Sequence, residues 1–202
     1  MKQAPTSGSG KYEILLDRCL KLEPVPTAIA HPCEVSALAG AVEAARKGLI
    51  SPILVGPASK ILGLANSEGI DIGGLEIIDV SHSEASAVKA VNLVREGRAE
   101  VLMKGSLHTD ELMSAIVSRD GGLRTGRRMS HAFVMDVPTY HKPLIVTDAA
   151  INISPNLEDK VDICQNAIQL AVTLGVPTPK VAILAAVETV TSKMPATLDA
   201  AA

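Results

Sequence analysis

Between residues 27 and 104, short aliphatic runs alternate with longer amphipathic segments, and this alternation constrains the fold more than any other feature of the chain. Thr27–Ala30, Pro52–Val55, Leu75–Val80 and Val101–Lys104 have strand length and strand composition. The spacers between them read as helices: Glu34–Lys47, closed by Gly48; a segment after Gly56-Pro57 reaching about Glu68; and one capped by Ser81 or Ser83 and ending near Gly97. A strand–helix–strand repeat brings each strand back parallel to the last, with a right-handed crossover. The expected fold is therefore α/β, a three-layer α/β/α arrangement around a mostly parallel, doubly wound sheet. Composition agrees: the chain is 47% apolar but only 1% aromatic, so its core must be built from Ala, Val, Ile and Leu.

The flanking segments extend the pattern. Residues 1–10 are rich in Gly and Ser and read as a flexible tail. Tyr12, Leu15, Leu16, Cys19 and Leu20 share one helical face, which Pro24 and Pro26 terminate. Thr109-Asp110-Glu111 opens a helix with acidic residues in its first turn, and Gly121-Gly122 stops it. Ala132–Val137 and Leu144–Asp148 read as strands joined by a turn around Pro138. A long helix follows over Leu157–Leu174, then a break at Gly175, Pro177 and Pro179, then an apolar strand at Val181–Val187. Pro195 starts a last helix, since proline suits its first position. No glycine cap or other stop signal precedes Ala202, so the reading favours a chain that stops inside a helix.

Charge and cysteine content exclude several classes. The net charge is −3, with no basic excess to follow a nucleic-acid backbone. Cys19, Cys33 and Cys164 are odd in number, far apart and outside any C-x-x-C pattern, which argues for a reducing compartment rather than disulfides or zinc. The first ten residues lack the apolar core of a secretory signal, and no apolar run approaches about 20 residues. A cytoplasmic protein without a membrane partner is expected.

In an open α/β sheet, ligands bind beyond the carboxyl ends of strands, against the starts of the following helices. Three polar segments occupy such places. Met103-Lys104-Gly105-Ser106-Leu107-His108-Thr109 offers a lysine, hydroxyls and helix-start amides, a plausible anion site; a capped helix with a solvated lysine reads equally well. Arg119, Arg124, Arg127 and Arg128 lie within ten residues and lead to Met129-Ser130-His131. Arginine forks suit phosphates, although a solvated loop explains them too. Thr147-Asp148-Ala149-Ala150-Ile151-Asn152 could orient a substrate, or could be an Asx turn with a helix cap. His31, His82 and His141 fall in loops without metal-ligand spacing, and there is no Walker, G-x-G-x-x-G or G-x-S-x-G motif to name a reaction.

Longer segments carry a family resemblance. VLMKGSLHTDELMSAIV, then RRMSHAFVMDVPTYHKPLIVTDAAINISPNLEDKVDICQNAI, then PKVAILAAVETVTSKMPATLDAA resemble the phosphate acetyl/butyryl transferases. The MKG-x-x-HT, SH, TDAA-x-N and KMPAT segments follow that family's order and spacing across most of residues 31–202. Val190-Thr191-Ser192-Lys193 departs from the usual V-N-P-K.

The resemblance implies reversible transfer of an acetyl or butyryl group between coenzyme A and phosphate. Coenzyme A is then a substrate; no cofactor and no metal are implied. It also implies an isocitrate/isopropylmalate dehydrogenase-like fold, with residues 11–143 as a first domain and 144–202 as the beginning of a second, and a homodimer or larger homo-oligomer. The family's Ser-Arg pair and aspartate near the C-terminus have no counterpart here, so catalytic residues are expected beyond Ala202 and low activity from residues 1–202 alone. Substrate binding is assigned to Lys104, His108, Thr109, Arg128, Ser130, Asp148 and Asn152. Two alternatives stand beside this: a domain that binds coenzyme A or phosphate without turnover, and a metal- and NAD(P)-dependent decarboxylating dehydrogenase on the related fold.

Overall fold

Strand β1 (Val25–Ala30) lies inside a four-stranded parallel sheet of order β3-β2-β1-β4, with β2 at Ile50–Gly56, β3 at Glu76–Asp79 and β4 at Val101–Lys104. The computed structural model describes residues 10–202. The chain winds outward from β1 through β2 to β3. It then returns across the sheet to place β4 on the other side of β1. The winding direction reverses between β1 and β4, the kind of switch point where open α/β sheets bind ligands.

Residues 27–30 of β1 are almost completely buried because helices cover both faces of the sheet. Ala28 and Ala30 point toward α4 (Ser83–Arg95) and α5 (Thr109–Ile116), packing with Ala87, Ala90, Leu93 and Leu112. Ile29 and Leu54 pack on the opposite side with Leu38 and Ala41 of α2 (Val35–Arg46) and with Ile61 and Ala65 of α3 (Ala58–Glu68). Period-two alternation along the strands thus divides one aliphatic stretch between two cores. The three layers expected from the sequence are present.

Gly40 lies inside α2, and a Cβ there would meet nothing within 4 Å. Gly40→Ala should therefore raise stability by about 0.5–1 kcal/mol, the helix-propensity difference alone. Urea denaturation followed by circular dichroism measures it, and a loss of stability would show that the helix lacks this space.

The described residues form two compact units: Leu16–Thr125, and Gly126–Ala202 with the residues up to Leu15. The division falls at Gly126, whereas the sequence reading put it at 143/144. The reason is pairing. Strand β5 (Ala132–Met135) is antiparallel to β6 (Leu144–Thr147), from Ala132↔Thr147 to Met135↔Leu144, so a cut at 143 would sever a hairpin. In this second unit, α6 (Leu157–Thr173) is N-capped by Asn156, whose side chain accepts from the Asp159 amide at 2.8 Å. Lys11, on α1 (Lys11–Cys19), donates to Asp136 at 2.7 Å. Thr197, 4% exposed in α7 (Pro195–Ala201), closes the loop before it by accepting from the Thr191 amide and donating to the Met194 carbonyl.

Two local expectations are corrected. Val181–Val187 is not a strand: no neighbouring strand pairs with it, and Leu184 is 86% exposed. An apolar run without a ladder partner gains nothing from extending. The cap of α4 is His82, not Ser81 or Ser83; its Nδ1 accepts from the Ala85 amide, and Ser83 bonds to Glu111 instead. The shared apolar face of α1 buries no residue fully. All three cysteines are free, and among the described residues no helix is long and apolar enough to cross a membrane. The tail read at residues 1–9 lies outside the described residues.

Candidate functional site

The switch point beside β1 in the Leu16–Thr125 unit is built by direct bonding between two strand ends. Ala30 pairs with Lys104. One step further, the Gly105 amide donates to the Ala30 carbonyl at 2.8 Å and the Ser106 amide to the His31 carbonyl at 2.9 Å. The Ser106 hydroxyl donates to that same carbonyl at 2.8 Å and accepts from the Cys33 amide at 3.2 Å. Only glycine fits at position 105: a Cβ would lie 2.4 Å from the Ala30 oxygen and 2.5 Å from the His31 oxygen. His31 itself has φ 56°, a left-handed conformation uncommon outside glycine.

The His31 imidazole is held from below. Its Nδ1 lies 3.1 Å from the hydroxyl of Ser86, and that hydroxyl donates to the His82 carbonyl at 2.8 Å. Burial, reinforced by the Lys60 and His82 charges and opposed by Glu111, moves its pKa below the ordinary histidine value. Glu111 ties the starts of α4 and α5 together by accepting from the Ser83 hydroxyl at 2.7 Å and the His108 amide at 2.9 Å. Those two bonds, the Ser83 one foremost, keep its carboxyl below the usual range.

Of the residues singled out in the sequence, Lys104, His108 and Thr109 belong to this rim. Lys104 ends β4, exposed, with its Nζ 3.4 Å from the Gly105 carbonyl. His108 is the α5 N-cap residue and Thr109 its first helical residue. Sequence reading passed over His31, Cys33 and Ser86. The available signal was position: His31 directly follows a strand whose last four residues are buried.

Arg128, Ser130, Asp148 and Asn152 come together in the other unit. Asp148 accepts backbone amides from His131 (3.0 Å), Ala150 (3.2 Å), Ile151 (3.2 Å) and Asn152 (2.7 Å), and also the Asn152 side-chain amide. Partial burial would raise its pKa, but these bonds, the Asn152 side chain foremost, outweigh burial and hold it down to about 2. Asp148 is thus engaged as the turn's own anchor. Asn152 in turn accepts from the Arg128 Nε at 2.8 Å, and Arg128 also faces Asp159 at 3.5 Å, its side chain still 53% exposed. Asn166 donates to the Arg128 carbonyl and to the Ser130 hydroxyl. The network presents an oriented guanidinium, the geometry that suits an oxyanion. Among the described residues, no group of three or more His, Cys, Asp or Glu could hold a metal ion.

A cavity of about 600 Å³ opens between β6, α6 and the 176–184 segment, lined largely by aliphatics such as Leu144, Val146, Ile163, Ala167 and Ile183, with Asp148 and Asn152 in its wall. Lys142, Lys160 and Lys180 also reach its wall.

Residues 82–202, more than half of the chain, match the family described as phosphate acetyl/butaryl transferase. The chain belongs to the phosphate acetyl/butyryl transferase family. It is 57% identical over 192 residues to a phosphate acetyltransferase of Rhizobium meliloti, covering 95% of this chain and 61% of the relative. It is 38% identical over 159 residues to a phosphate butyryltransferase of Clostridium acetobutylicum, covering 79% of this chain and 53% of the relative. The chain therefore spans less than two thirds of these family members. A phosphotransacetylase from Streptococcus pyogenes superposes with a TM-score of 0.74 at 18% identity, covering 89% of this chain and 63% of that one. That likeness shows the shared fold. Residues 103–109 and 147–152 both lie within the matched span 82–202.

Proposed function

We propose that this protein moves a short acyl group, acetyl or butyryl, between coenzyme A and phosphate. Membership of the family, at 57% identity to a phosphate acetyltransferase, carries the proposal. Both substrates bear phosphate groups. The proposal assigns their binding to Lys104, His108 and Thr109 on one unit, and to Arg128 and Ser130, positioned by Asp148 and Asn152, on the other. A lysine at a strand end beside a helix start, and an arginine fixed through its Nε, are both suited to phosphoryl oxygens. No metal takes part in this reading; coenzyme A enters as substrate. Family membership also displaces the decarboxylating dehydrogenase alternative. In a protein of its relatives' full length, turnover should appear as acyl-CoA formed from acyl phosphate and coenzyme A without added magnesium or NAD(P). A strict requirement for both would refute the proposal.

The site assignment has its own test. Lys104→Ala and Arg128→Ala should each weaken binding of coenzyme A or acyl phosphate about tenfold to a hundredfold, the worth of one charge-assisted hydrogen bond of about 1.5–3 kcal/mol. Stability should change by less than about 1 kcal/mol, because solvated cations contribute little to it. Isothermal titration measures the affinities. Unchanged affinities in both variants would reduce the two loops to caps and solvated surface.

The proposal extends to a cytoplasmic homodimer or larger homo-oligomer. Three free cysteines support a reducing compartment, and sedimentation equilibrium reads the assembly state.

A further inference from the structure

The hydroxyl of Ser86 is placed to set which nitrogen of His31 carries a proton. Ser86 is fully buried, and its single hydroxyl hydrogen goes to the His82 carbonyl at 2.8 Å. Toward His31 Nδ1, 3.1 Å away, the oxygen has a lone pair to offer and no hydrogen. With the hydroxyl hydrogen on that carbonyl, Nδ1 is the donor of the pair, and in the neutral ring Nε2 is left as a lone-pair acceptor. Nε2 has no hydrogen-bond partner among the described residues and is not a buried orphan. The left-handed backbone at His31 and the three donors on its carbonyl, from Cys33 and from the amide and hydroxyl of Ser106, fix the residue at the β1/β4 strand ends.

An acceptor is an unusual thing to place in an anion site. Fully ionised oxyanions present lone pairs only, and a lone pair facing a lone pair is repelled. Hydrogen phosphate differs from sulfate in one respect near neutral pH: it keeps an O–H. We infer that His31 Nε2 accepts the O–H of a hydrogen phosphate bound at the β1/β4 strand ends, and so selects protonated phosphate over unprotonated oxyanions. This rests on the proposed phosphate-binding role of the Lys104–Thr109 loop and specifies how that loop recognises its anion. Lys104 and the helix starts would supply attraction, which sulfate shares; His31 would supply the discrimination, which it does not.

The selection has a direction in pH. The groups facing His31 are Lys60 from α3, His82 at the start of α4 and Glu111 from α5, with Lys104 beside it on β4. Their balance and burial leave the ring neutral at pH 7 and above. Acidification through its lowered pKa puts a proton on Nε2, turns the acceptor into a cationic donor and abolishes the preference.

The test uses protein labelled with 15N in histidine, titrated with inorganic phosphate and separately with sulfate. At pH 8 the His31 resonances should show the Nδ1–H tautomer, phosphate should bind about tenfold or more tighter than sulfate, and phosphate alone should shift Nε2. The preference should weaken as the pH falls through the His31 pKa that the same resonances report. His31→Asn tolerates the left-handed backbone but is too short to present the same acceptor, so it should bind both anions alike while remaining folded by circular dichroism. Ser86→Ala should leave the ring in a mixture of tautomers and weaken the preference. A proton on Nε2 in the free protein, or a phosphate preference kept by His31→Asn, overturns the inference and leaves the phosphate-binding loop standing. If neither anion perturbs Lys104 to Thr109, the inference fails together with the reading beneath it.

Discussion

Gly105→Ala should lower folding stability by about 3 kcal/mol or more. The added Cβ would sit 2.4 Å from the Ala30 carbonyl oxygen and 2.5 Å from that of His31, both backbone atoms inside a hydrogen-bonded ladder. A flexible side chain could swing aside; two sheet carbonyls cannot. Relief requires moving β4 away from β1, which breaks the bonds from the Gly105 and Ser106 amides. Overpacking alone costs about 1–3 kcal/mol, and each broken buried backbone bond adds about 1 kcal/mol or more. Gly126→Ala is the control, since nothing lies within 4 Å of its Cβ; it should stay within about 0.5 kcal/mol of the parent. The chain has no tryptophan, so urea denaturation is best followed by circular dichroism. Equal stability of the two variants would show that the strand ends are not locked. A folded but shifted Gly105→Ala protein should also displace His31, visible as altered histidine resonances.

Asp148→Ala should destabilise by about 2–4 kcal/mol, because it strands the amides of His131, Ala150, Ile151 and Asn152 together. These bonds share one carboxylate and are not additive, so their sum is not expected. Asp148→Asn should cost less, about 1–2 kcal/mol, since it keeps one acceptor oxygen and loses the charge. Arg128 is positioned through Asn152, so both changes should also loosen the arginine. The pH dependence has a definite sign. The folded pKa, about 2, lies below the ordinary 3.8. The carboxylate's contribution is therefore complete above about pH 4 and is lost as pH falls through about 2. Discounted for partial solvent exposure, it amounts to about 1–2 kcal/mol. Melting curves between pH 2 and pH 5 should show this acid loss in the parent and a smaller one in Asp148→Asn. The same slope in both would place the acid sensitivity elsewhere.

The elements the sequence read well are those whose signals are local. Strand Val101–Lys104 and the start of the helix at Thr109 appear where aliphatic period and first-turn acids placed them. The fold class followed from alternation, because a helix between two short buried strands leaves a parallel sheet as the one arrangement that covers both faces. The Thr147–Asn152 turn was half legible. Three of the amides on Asp148 come from the next four residues and make the Asx turn that its composition indicates, but the fourth belongs to His131, 17 residues earlier, across a hairpin.

Local apolarity failed at Val181–Val187, because seven aliphatic-rich residues say nothing about whether a neighbouring strand is there to receive their amides. The site was legible as three polar loops and not as a constellation. Residues 30 and 104 become neighbours because β4 is inserted beside β1 instead of after β3, a choice made by packing of whole helices and invisible in either segment. The His31 ring meets the hydroxyl of Ser86, 55 residues away, which also bonds a carbonyl four residues before it. Periodicity, caps and turn residues act over a few bonds and are written in order along the chain. Which strand end meets which, and where a proton rests, are settled by contacts that exist only once the sheet has formed.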